Sequence, residues 1–457
     1  MRPVQFARLA DPVPGLADAV EVINGVDAAL ANGLGRPGPG TEAALEALAA
    51  AVSATPLASA VRVAVDKALS GSVHDEHVAV LAGARVAVLG AVHDALIEAV
   101  DAALGRSRAP DPVSLGATAP DPALAGARSW LRDLAIAGWR GVDEDVIAGA
   151  DPAIQAALGS PSRRRLATVL DGLAGELRAG VPLTSLQFLP ARRWADLWTR
   201  AVVLAQPGSP VPDLVGLGDV SGRLLPLGVD VREHGTAVQV QVHGVLESAN
   251  EPPRLVRTSV AVGKVESIVG AAIWPLLQRF PLLMRALSER RAIDITDRPL
   301  LASGDLLWSE DGATLLEPAD PFATARLMLS NAAAFAAAPL DRHPVRIAEP
   351  VLIEGYTVGD GALVLGDHRL PLALGRLPVA GPLTAAHLAA SSACLGLLRW
   401  DGEWRFQPTG VLTAVKKKSV AVHVSDWAMG PTDPKVAKAT GDAVAVLRER
   451  AGRMLRR

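Results

Sequence analysis

The segment TAVQVQVHGVLE, Thr236–Glu247, decides the fold class of this chain. Its valines occupy alternate positions from Val238 to Val242, and two glutamines and His243 occupy the positions that face the other way. A period of two residues is the period of a β-strand with one apolar face. The preceding GVDVREHG predicts a partner strand that turns back at Glu233–Gly235, so this part of the chain is predicted to form an antiparallel hairpin.

Further strand signals follow along the second half of the chain. RLVRTSVAVG (254–263) predicts a third strand, and DLLWSEDGATLLEP (305–318), ALVLGDHRLPL (362–372) and LLRWDGEWRF (397–406) predict hairpins. In the last of these, Asp401-Gly402 is a residue pair typical of a type I′ turn. Hairpins indicate antiparallel pairing, which argues against the alternating strands and helices of a parallel nucleotide-binding sheet.

The first 205 residues predict helices instead. Thr41 is the predicted N-cap of TEAALEALAAAVSA, and Trp194 and Trp198, four residues apart, are predicted to fill gaps in an alanine-rich core. Val78–Val100 is the most apolar segment, but an arginine, a histidine and two acidic residues interrupt it. A membrane-spanning helix needs about 20 mostly apolar residues. We therefore expect a buried central helix.

Together these segments predict an α+β protein with an all-helical N-terminal half and a mixed, mostly antiparallel, hairpin-rich second half. The predicted parts are a helical domain over residues 1–205, a Pro/Gly-rich linker over 206–222, an α+β domain with antiparallel hairpins over 223–430, and a basic C-terminal helix over 431–457.

Composition narrows the class of protein further. The 457 residues are 50% apolar and carry a formal net charge of −3, so a uniformly basic nucleic-acid-binding protein is not expected. Cys394 is the one cysteine, which excludes an internal disulfide and a cysteine-based zinc site, and its apolar surroundings predict a buried, inert thiol. The opening MRPVQFARLADPVPG lacks the apolar core of a signal peptide, so we expect a cytoplasmic protein that does not enter the membrane.

Two short motifs resemble known sites. GLGRPGPG (33–40) contains a formal G-x-G-x-x-G, but helical sequence precedes it, so it predicts a connection between helices. HDEH, with His74 and His77, is the densest group of potential metal ligands. Its spacing differs from the i, i+4 pair of zinc proteases, so the first turn of a helix is the favoured interpretation, and His74 and His77 are weak metal candidates. No motif predicts a catalytic residue or a cofactor.

Positive charge is concentrated at the C-terminal end. KKKSVAVHVSDWAMGPTDPK (416–435) predicts a lysine-rich turn, a strand, and a helix capped by Asp433 with Pro434 at its first position. From residue 416 onward there are ten basic and four acidic residues, a net charge of +6, so the rest of the chain carries −9. Three interpretations stay open: the region binds phosphate backbones in a salt-dependent way, docks on an acidic protein face, or is only solvated. The candidate binding residues are Lys416, Lys417, Lys418, Arg448, Arg450, Arg453, Arg456 and Arg457.

Four segments carry a resemblance: LPARRWADLWTRAVVL, DPFATARLML, SSACLGLLRWDGEW and VHVSDWAMGPTDPKVAKATGDAVAVLRERAGRMLRR. They resemble an uncharacterised actinobacterial protein family associated with gene clusters that encode SWIM zinc-finger, MoxR-type AAA+ ATPase and VWA-domain proteins. This chain has neither the Cys/His pattern of a SWIM finger nor an ATPase phosphate loop. The resemblance therefore implies an accessory member with protein partners of AAA+ or VWA type, and it brings no catalytic residues.

The first functional hypothesis is a non-enzymatic cytoplasmic adaptor of a multiprotein AAA+/VWA-type system, because the chain lacks reaction motifs and segregates its charge. One alternative is nucleic-acid binding through the basic C-terminal region. The other is a metal-dependent hydrolase built on His74 and His77.

Overall fold

The computed structural model describes residues 1–109, 121–183, 187–207, 216–415, 418–440 and 443–454. The protein is about 49% helical and 24% strand, with helices mainly in the N-terminal half and sheets in the C-terminal half, so the predicted α+β class is confirmed. The first half contains α1 (Pro3–Ala10), α2 (Leu16–Asn32), α3 (Pro39–Ala51), α4 (Ala58–Leu69), α5 (Asp75–Leu104), α6 (Ala125–Ala137), α7 (Glu144–Ala148), α8 (Ala150–Leu158), α9 (Arg164–Gly180) and α10 (Ala191–Leu204).

Helix α5 is the central helix that the sequence predicted. By length and hydropathy it is the one helix in the described residues that could cross a membrane, and 56% of its most apolar window is buried inside the protein. This is a weak indication of a membrane span, because the core helix of a globular protein has the same composition. Its buried Arg85 pairs with Asp27 of α2 at 2.8 Å and with Asp196 of α10 at 2.7 Å. Arg85 therefore connects α5 to α2 and to α10 through ion pairs.

A cluster of three tryptophans fills the helical core. Trp194 and Trp198 are 3% and 1% exposed, and both pack edge-to-face on the fully buried Trp139, with ring centroids 6.3 and 6.4 Å apart. The indole of Trp198 donates to the Leu131 carbonyl at 2.8 Å. The prediction that these side chains fill gaps between alanine-rich helices is confirmed.

The glycine-rich GLGRPGPG segment connects α2 and α3, as predicted. Gly33 adopts a φ of +89°, and a Cβ atom on Gly138 would lie 2.2 Å from the Gly33 nitrogen. The glycines are therefore explained by the close approach of two chain segments rather than by a dinucleotide. The predicted N-cap at Thr41 is wrong: α3 begins at Pro39 with Gly38 as its cap, because proline suits the first helical position, and Thr41 lies buried inside the helix.

The second half contains three sheets. Its strands are β1 (Gly216–Glu233), β2 (Ala237–Glu247), β3 (Arg254–Gly263), β4 (Arg291–Leu301), β5 (Asp305–Leu306), β6 (Ala313–Pro318), β7 (Glu349–Glu354), β8 (Thr357–Gly359), β9 (Ala362–Leu365), β10 (His368–Pro371), β11 (Ser391–Trp400), β12 (Trp404–Val415) and β13 (Lys418–His423). Its helices are α11 (Trp274–Leu277), α12 (Pro281–Glu289), α13 (Pro321–Met328), α14 (Ala385–Ala389), α15 (Pro434–Thr440) and α16 (Ala443–Met454).

Five strands of the first sheet close into a ring. β1 pairs with both β2 and β4, β2 pairs with β3, β3 runs parallel to β5, and β5 pairs with β4. β6 adds to the outer side of β4. The second sheet has the order β13-β12-β11-β7, and the third has the order β10-β9-β8. One large core lies under all three sheets, and Phe6 and Leu9 of α1 pack into it, so the N-terminal helix shares the core of the second half.

Strand β1 begins inside the predicted linker. Residues 206 and 207 follow α10, residues 208–215 lie outside the described residues, and Gly216 already pairs with Leu301 of β4. The prediction of a linker up to residue 222 is wrong from Gly216 onward, because ladder hydrogen bonds outweigh the low strand propensity of its glycines.

Most of the predicted hairpins are present. β1–β2, β9–β10 and β11–β12 pair in the expected way. The prediction for residues 305–318 is wrong: β5 and β6 pair with β4 instead of with each other, because β5 closes the ring between β3 and β4. The type I′ turn is also wrong. Trp400 pairs with Trp404, which leaves a three-residue connection in which Gly402 alone has a positive φ, of +73°.

The C-terminal elements follow the predicted order. Strand β13 ends at His423, and the side chain of Asp433 caps α15 by accepting from the Lys435 backbone N–H at 2.8 Å, with Pro434 at the first helical position. The final helical region consists of α15 and α16, and residues 441–442 between them lie outside the described residues.

Candidate functional site

A cleft of about 660 Å³ lies between the end of α5 and the strand ring. Its floor is the polar face of β1, β2 and β3. One wall is the end of α5, and the opposite wall is residues 334–348, a segment between α13 and β7 that we call the strap. Charged and imidazole side chains in the lining are His93, Asp94, Glu98, Asp101, Arg108, Arg232, His243, Arg257, Asp305, Asp341, Arg342, Arg346, Glu349, Arg376 and Arg399.

The floor is produced by the same alternation that identified β2 as a strand. Val238, Val240 and Val242 of β2 are buried in the large core, so the glutamines and His243 face the other side. In the register of the sheet, His243 lies opposite Arg257 of β3, and Gln241 lies between Asp230 of β1 and Ser259 of β3. Directly opposed residues share one face of a sheet. Polar side chains from three strands therefore converge on the cleft.

His243 is the least satisfied polar group of the floor. It is 2% exposed, and its Nε2 atom is buried without a hydrogen-bond partner among the described residues. Burial lowers the pKa of His243 to about 3, and the positive charges of Arg257 and Arg399 add to this effect, while Asp230 opposes it. The imidazole is therefore neutral at physiological pH. A buried polar atom without a partner is destabilising, so this atom requires an explanation.

Arg257 presents free donors beside His243. One terminal nitrogen, Nη2, donates to the Ser303 carbonyl at 3.1 Å and to Asp305 at 2.8 Å, and Ser303 Oγ in turn donates to Asp305 at 2.6 Å. Within the described part of the chain, Nε and Nη1 of Arg257 have no acceptor. Arg376, which also lines the cleft, is exposed and has no carboxylate partner in that same part. The floor thus carries guanidinium groups that protein contacts hold in position but that still have N–H donors without an acceptor in the described part of the chain.

A buried polar network fixes the far end of the floor. Asp230 accepts hydrogen bonds from Arg399 Nη2 at 2.7 Å, from Arg232 Nε at 2.8 Å and from Gln407 Nε2 at 2.9 Å. Gln407 also accepts from Arg399 Nε at 2.6 Å. Gly228 allows β1 to lie close to β12 beside this network, because a Cβ atom there would lie 2.4 Å from Thr409 Oγ1. The network holds Arg399 in the lining with its charge balanced.

Arginines at the other end of the cleft are neutralised. The half-buried Glu349 accepts from Arg106 at 2.8 Å and lies 3.2 Å from Arg108, and Arg108 also pairs with Asp101 at 2.8 Å. Burial opposes ionisation of Glu349, but the two arginines outweigh it and lower its pKa to about 2. These ion pairs connect the end of α5 to β7. Because the arginines at this end are paired with carboxylates, the excess positive charge of the cleft lies on the floor.

The α5 wall carries the negative charge. Asp94 accepts from His93 Nδ1 at 2.9 Å and lies 3.4 Å from Arg342 of the strap. Glu98, one turn later, is exposed and has no ion pair among the residues that the structure describes. The cleft is therefore polarised, with guanidinium groups on the sheet side and carboxylates on the helix side.

The predicted basic surface lies mostly beyond what the structure describes. Lys416, Lys417, Arg456 and Arg457 are outside the described residues, and the same holds for the side chains of Lys418, Arg448 and Arg453. Arg450 is exposed on α16. The predicted binding role of all eight residues stays a prediction.

The HDEH segment forms the start of α5, as the favoured interpretation predicted. His74 is the N-cap, and its backbone N–H donates to His77 Nδ1 at 3.2 Å. His77 is 7% exposed, so this turn is less solvated than expected. In the described ranges no group of three or more His, Cys, Asp or Glu side chains could hold a metal ion. His74 and His77 thus contribute to helix capping.

Cys394 lies on β11 and is fully buried, as predicted. Burial raises the pKa of its thiol, and the Tyr356 hydroxyl opposes this. The thiol is therefore protonated and shielded in the folded protein.

Comparisons of the chain with protein-family models, with curated proteins and with solved structures found no match. The resemblance seen in the sequence accordingly stays a prediction.

The residues of the cleft were missed by motif analysis because they come from distant segments. Asp230 and Arg399 are 169 positions apart in the chain, and no local spacing signals their contact. One signal was present: the polar face of β2 carries two glutamines and a histidine, and a strand face of that composition is a candidate for a binding surface.

Proposed function

We propose that this protein binds a small anionic molecule, with a carboxylate or phosphate group held on the floor of the cleft. The observation that carries the proposal is the unpartnered Nε2 of His243 next to the unsaturated guanidinium of Arg257. A neutral imidazole and a guanidinium fork are complementary to an anionic oxygen and to the groups attached to it.

The dimensions of the cleft support a small molecule. Its volume of about 660 Å³ falls within the roughly 300–1,000 Å³ of typical ligand sites. The hydroxyl in the lining, Ser303 Oγ, is directed at Asp305, which is paired with Arg257. This arrangement orients Arg257 and supports binding rather than nucleophilic chemistry.

Calorimetric titration with inorganic phosphate at low salt tests the proposal. We expect Arg257→Gln to weaken phosphate binding by about tenfold or more, the factor that corresponds to one charge-assisted hydrogen bond. Arg285→Gln is the matched control, because Arg285 is exposed on α12, pairs with Glu289 and is not part of the lining. Absence of phosphate binding to the parent protein, or equal losses in both variants, would contradict the proposal.

The accessory role in an AAA+/VWA-type system remains a prediction from the sequence, and it is compatible with a ligand-binding cleft. Affinity purification at native expression, followed by mass spectrometry, tests it, and recovery of the chain alone counts against it.

The nucleic-acid alternative requires salt-sensitive binding that is lost when Lys416, Lys417 and Lys418 are all changed to glutamate. The hydrolase alternative requires a stoichiometric metal in elemental analysis.

A further inference from the structure

A second group of arginines lies on the helical side of the strap. Arg165 of α9 and Arg346 of the strap both pair with the Asp341 carboxylate, Arg165 at 3.0 Å. Among the residues that the structure describes, Arg200 of α10 forms one hydrogen bond, to the Leu340 carbonyl at 3.4 Å. We call Arg165, Arg200 and Arg346 the helical-side cluster. Two of the three guanidinium groups pair with the Asp341 carboxylate, and Arg200 lies beside them without an ion pair to it among the described residues.

The next carboxylate along α10 is already engaged. Asp196 pairs with Arg85 at 2.7 Å and with His343 at 3.2 Å. Asp196 and Asp341 both raise the pKa of Arg200, but neither forms an ion pair with it among the described residues. Burial lowers the pKa of Arg200 to about 10, and the charge of Arg346 adds to the effect. Arg200 thus lies in a position where an additional anion would be stabilised.

The helical-side cluster is close to the cleft. Arg346 lines the cleft, and its side chain is 43% exposed although protein surrounds it on several sides. Burial lowers its pKa, Asp341 opposes this, and the like charges of Arg165, Arg232 and Arg257 lower it further. Arg346 therefore belongs to the helical-side cluster and also lies within charge-interaction range of Arg232 and Arg257 on the floor.

A small cavity of about 30 Å³ adjoins the cluster. Arg200 and His343 line it, and Arg342 lines both this cavity and the main cleft. Arg342 of the strap therefore lies between the cavity beside Arg200 and the main cleft.

We propose that the ligand of the cleft carries two anionic groups, one bound on the floor by Arg257 and His243 and the other by the helical-side cluster. The inference rests on the proposed function, because it assigns a ligand class to the same cleft. A molecule with phosphate or carboxylate groups at both ends, such as a linear bisphosphate, has this chemistry. The alternative is that the cluster only fastens the strap to the helices.

Calorimetric titrations with inorganic phosphate and with a series of linear alkanediol bisphosphates distinguish these cases. We expect the best-fitting bisphosphate to bind at least about tenfold more tightly than phosphate. Arg200→Gln should abolish this gain and leave the affinity for phosphate unchanged, whereas Arg257→Gln should weaken both ligands. Arg164→Gln is the matched control, because Arg164 is exposed on α9 beside Arg165 and forms no ion pair among the described residues.

The possible failures are distinguishable. If phosphate binds and Arg257→Gln weakens it, but no bisphosphate binds more tightly, the second anion position is wrong and the proposed function stands. If Arg200→Gln weakens phosphate and bisphosphate equally, the cluster is not a separate position, and the inference is overturned. If no probe binds at all, both proposals fail. Arg165→Gln provides a second variant of the same cluster should Arg200→Gln lower the melting temperature.

Discussion

Changing Asp230 to asparagine tests the polar network that fixes the floor of the cleft. The carboxylate is 2% exposed and accepts from Arg232, Arg399 and Gln407. Asparagine keeps the shape of the side chain but loses the charge and one acceptor oxygen. Arg399, which is 4% exposed, would then keep a buried charge without a counter-ion. We expect Asp230→Asn to lower the free energy of unfolding.

The magnitude follows from the pKa of the carboxylate. Burial raises the pKa of Asp230, but Arg399, Arg232 and the Gln407 hydrogen bond outweigh burial and lower it from 3.8 to about 2. A shift of this size corresponds to about 2 kcal/mol of stability at pH 7. Removal of one partner of a buried ion pair costs about 3–5 kcal/mol. The expected loss is therefore between about 2 and 5 kcal/mol.

The pH dependence has a defined sign. A carboxylate whose pKa is lower in the folded state stabilises the protein above its unfolded-state pKa near 4, and this contribution is lost as the pH falls through 2. Burial lowers the pKa of Arg399 to about 10 despite its contact with Asp230, so Arg399 stays protonated at pH 7 and Asp230 sets the acid response. The gap between the parent and the variant should shrink on acidification, with roughly half of the pH-dependent part remaining at pH 3.

Urea unfolding followed by tryptophan fluorescence at pH 7 and pH 3 measures both effects. Asp294→Asn is the matched control, because Asp294 is exposed on β4 and has no ion pair in the described part of the chain. Its free energy of unfolding should change by less than about 0.5 kcal/mol. An Asp230→Asn protein with the urea midpoint and m value of the parent, or a stability gap that is independent of pH, would refute the reasoning.

Two further predictions concern the cores. Arg85→Met should lower the free energy of unfolding by about 3–5 kcal/mol in urea titrations, because Asp27 and Asp196 lose their shared buried partner. The control is Arg62→Met, which should have no measurable effect because Arg62 is exposed. An Arg85→Met protein as stable as the parent would contradict the prediction. Cys394 should give no reaction with a thiol-specific chromogenic reagent in the native protein and one thiol per chain in denaturant, and rapid labelling of the native protein would show that the thiol is accessible.

The parts of the fold that were predictable depend on local patterns. The alternation in β2 and the interrupted apolar run of α5 report their own secondary structure, because each pattern repeats with the period of its element. The β5–β6 hairpin was predicted wrongly because that prediction also depended on a local pattern alone. Two short strands with a Gly-containing connection look like a hairpin locally, but β4 pairs with both of them and lies outside the segment.

The site was less predictable than the fold. The charged side chains that line the cleft come from α5, three strands of the ring, the strap and β11. Their proximity depends on tertiary contacts. The polar face of β2 indicated that one side of the sheet avoids the core, but it did not indicate that this face is covered. The burial of His243 follows from the position of the strap and α5, which no property of residues 236–247 specifies.

The ring of strands has a consequence for biosynthesis. β1 completes its pairing only when β4 is available, and Gly216 meets Leu301 across the closure. At roughly 5–20 residues per second, a ribosome needs on the order of 3 to 11 seconds to extend the chain from Glu247, the end of the β1–β2 hairpin, to Leu301. During this interval the first hairpin is exposed with one edge unpaired, while the helical half is already complete. A nascent chain therefore presents an unpaired strand edge, a surface that favours aggregation, before the ring can close, and a chaperone that covers this edge would raise the yield.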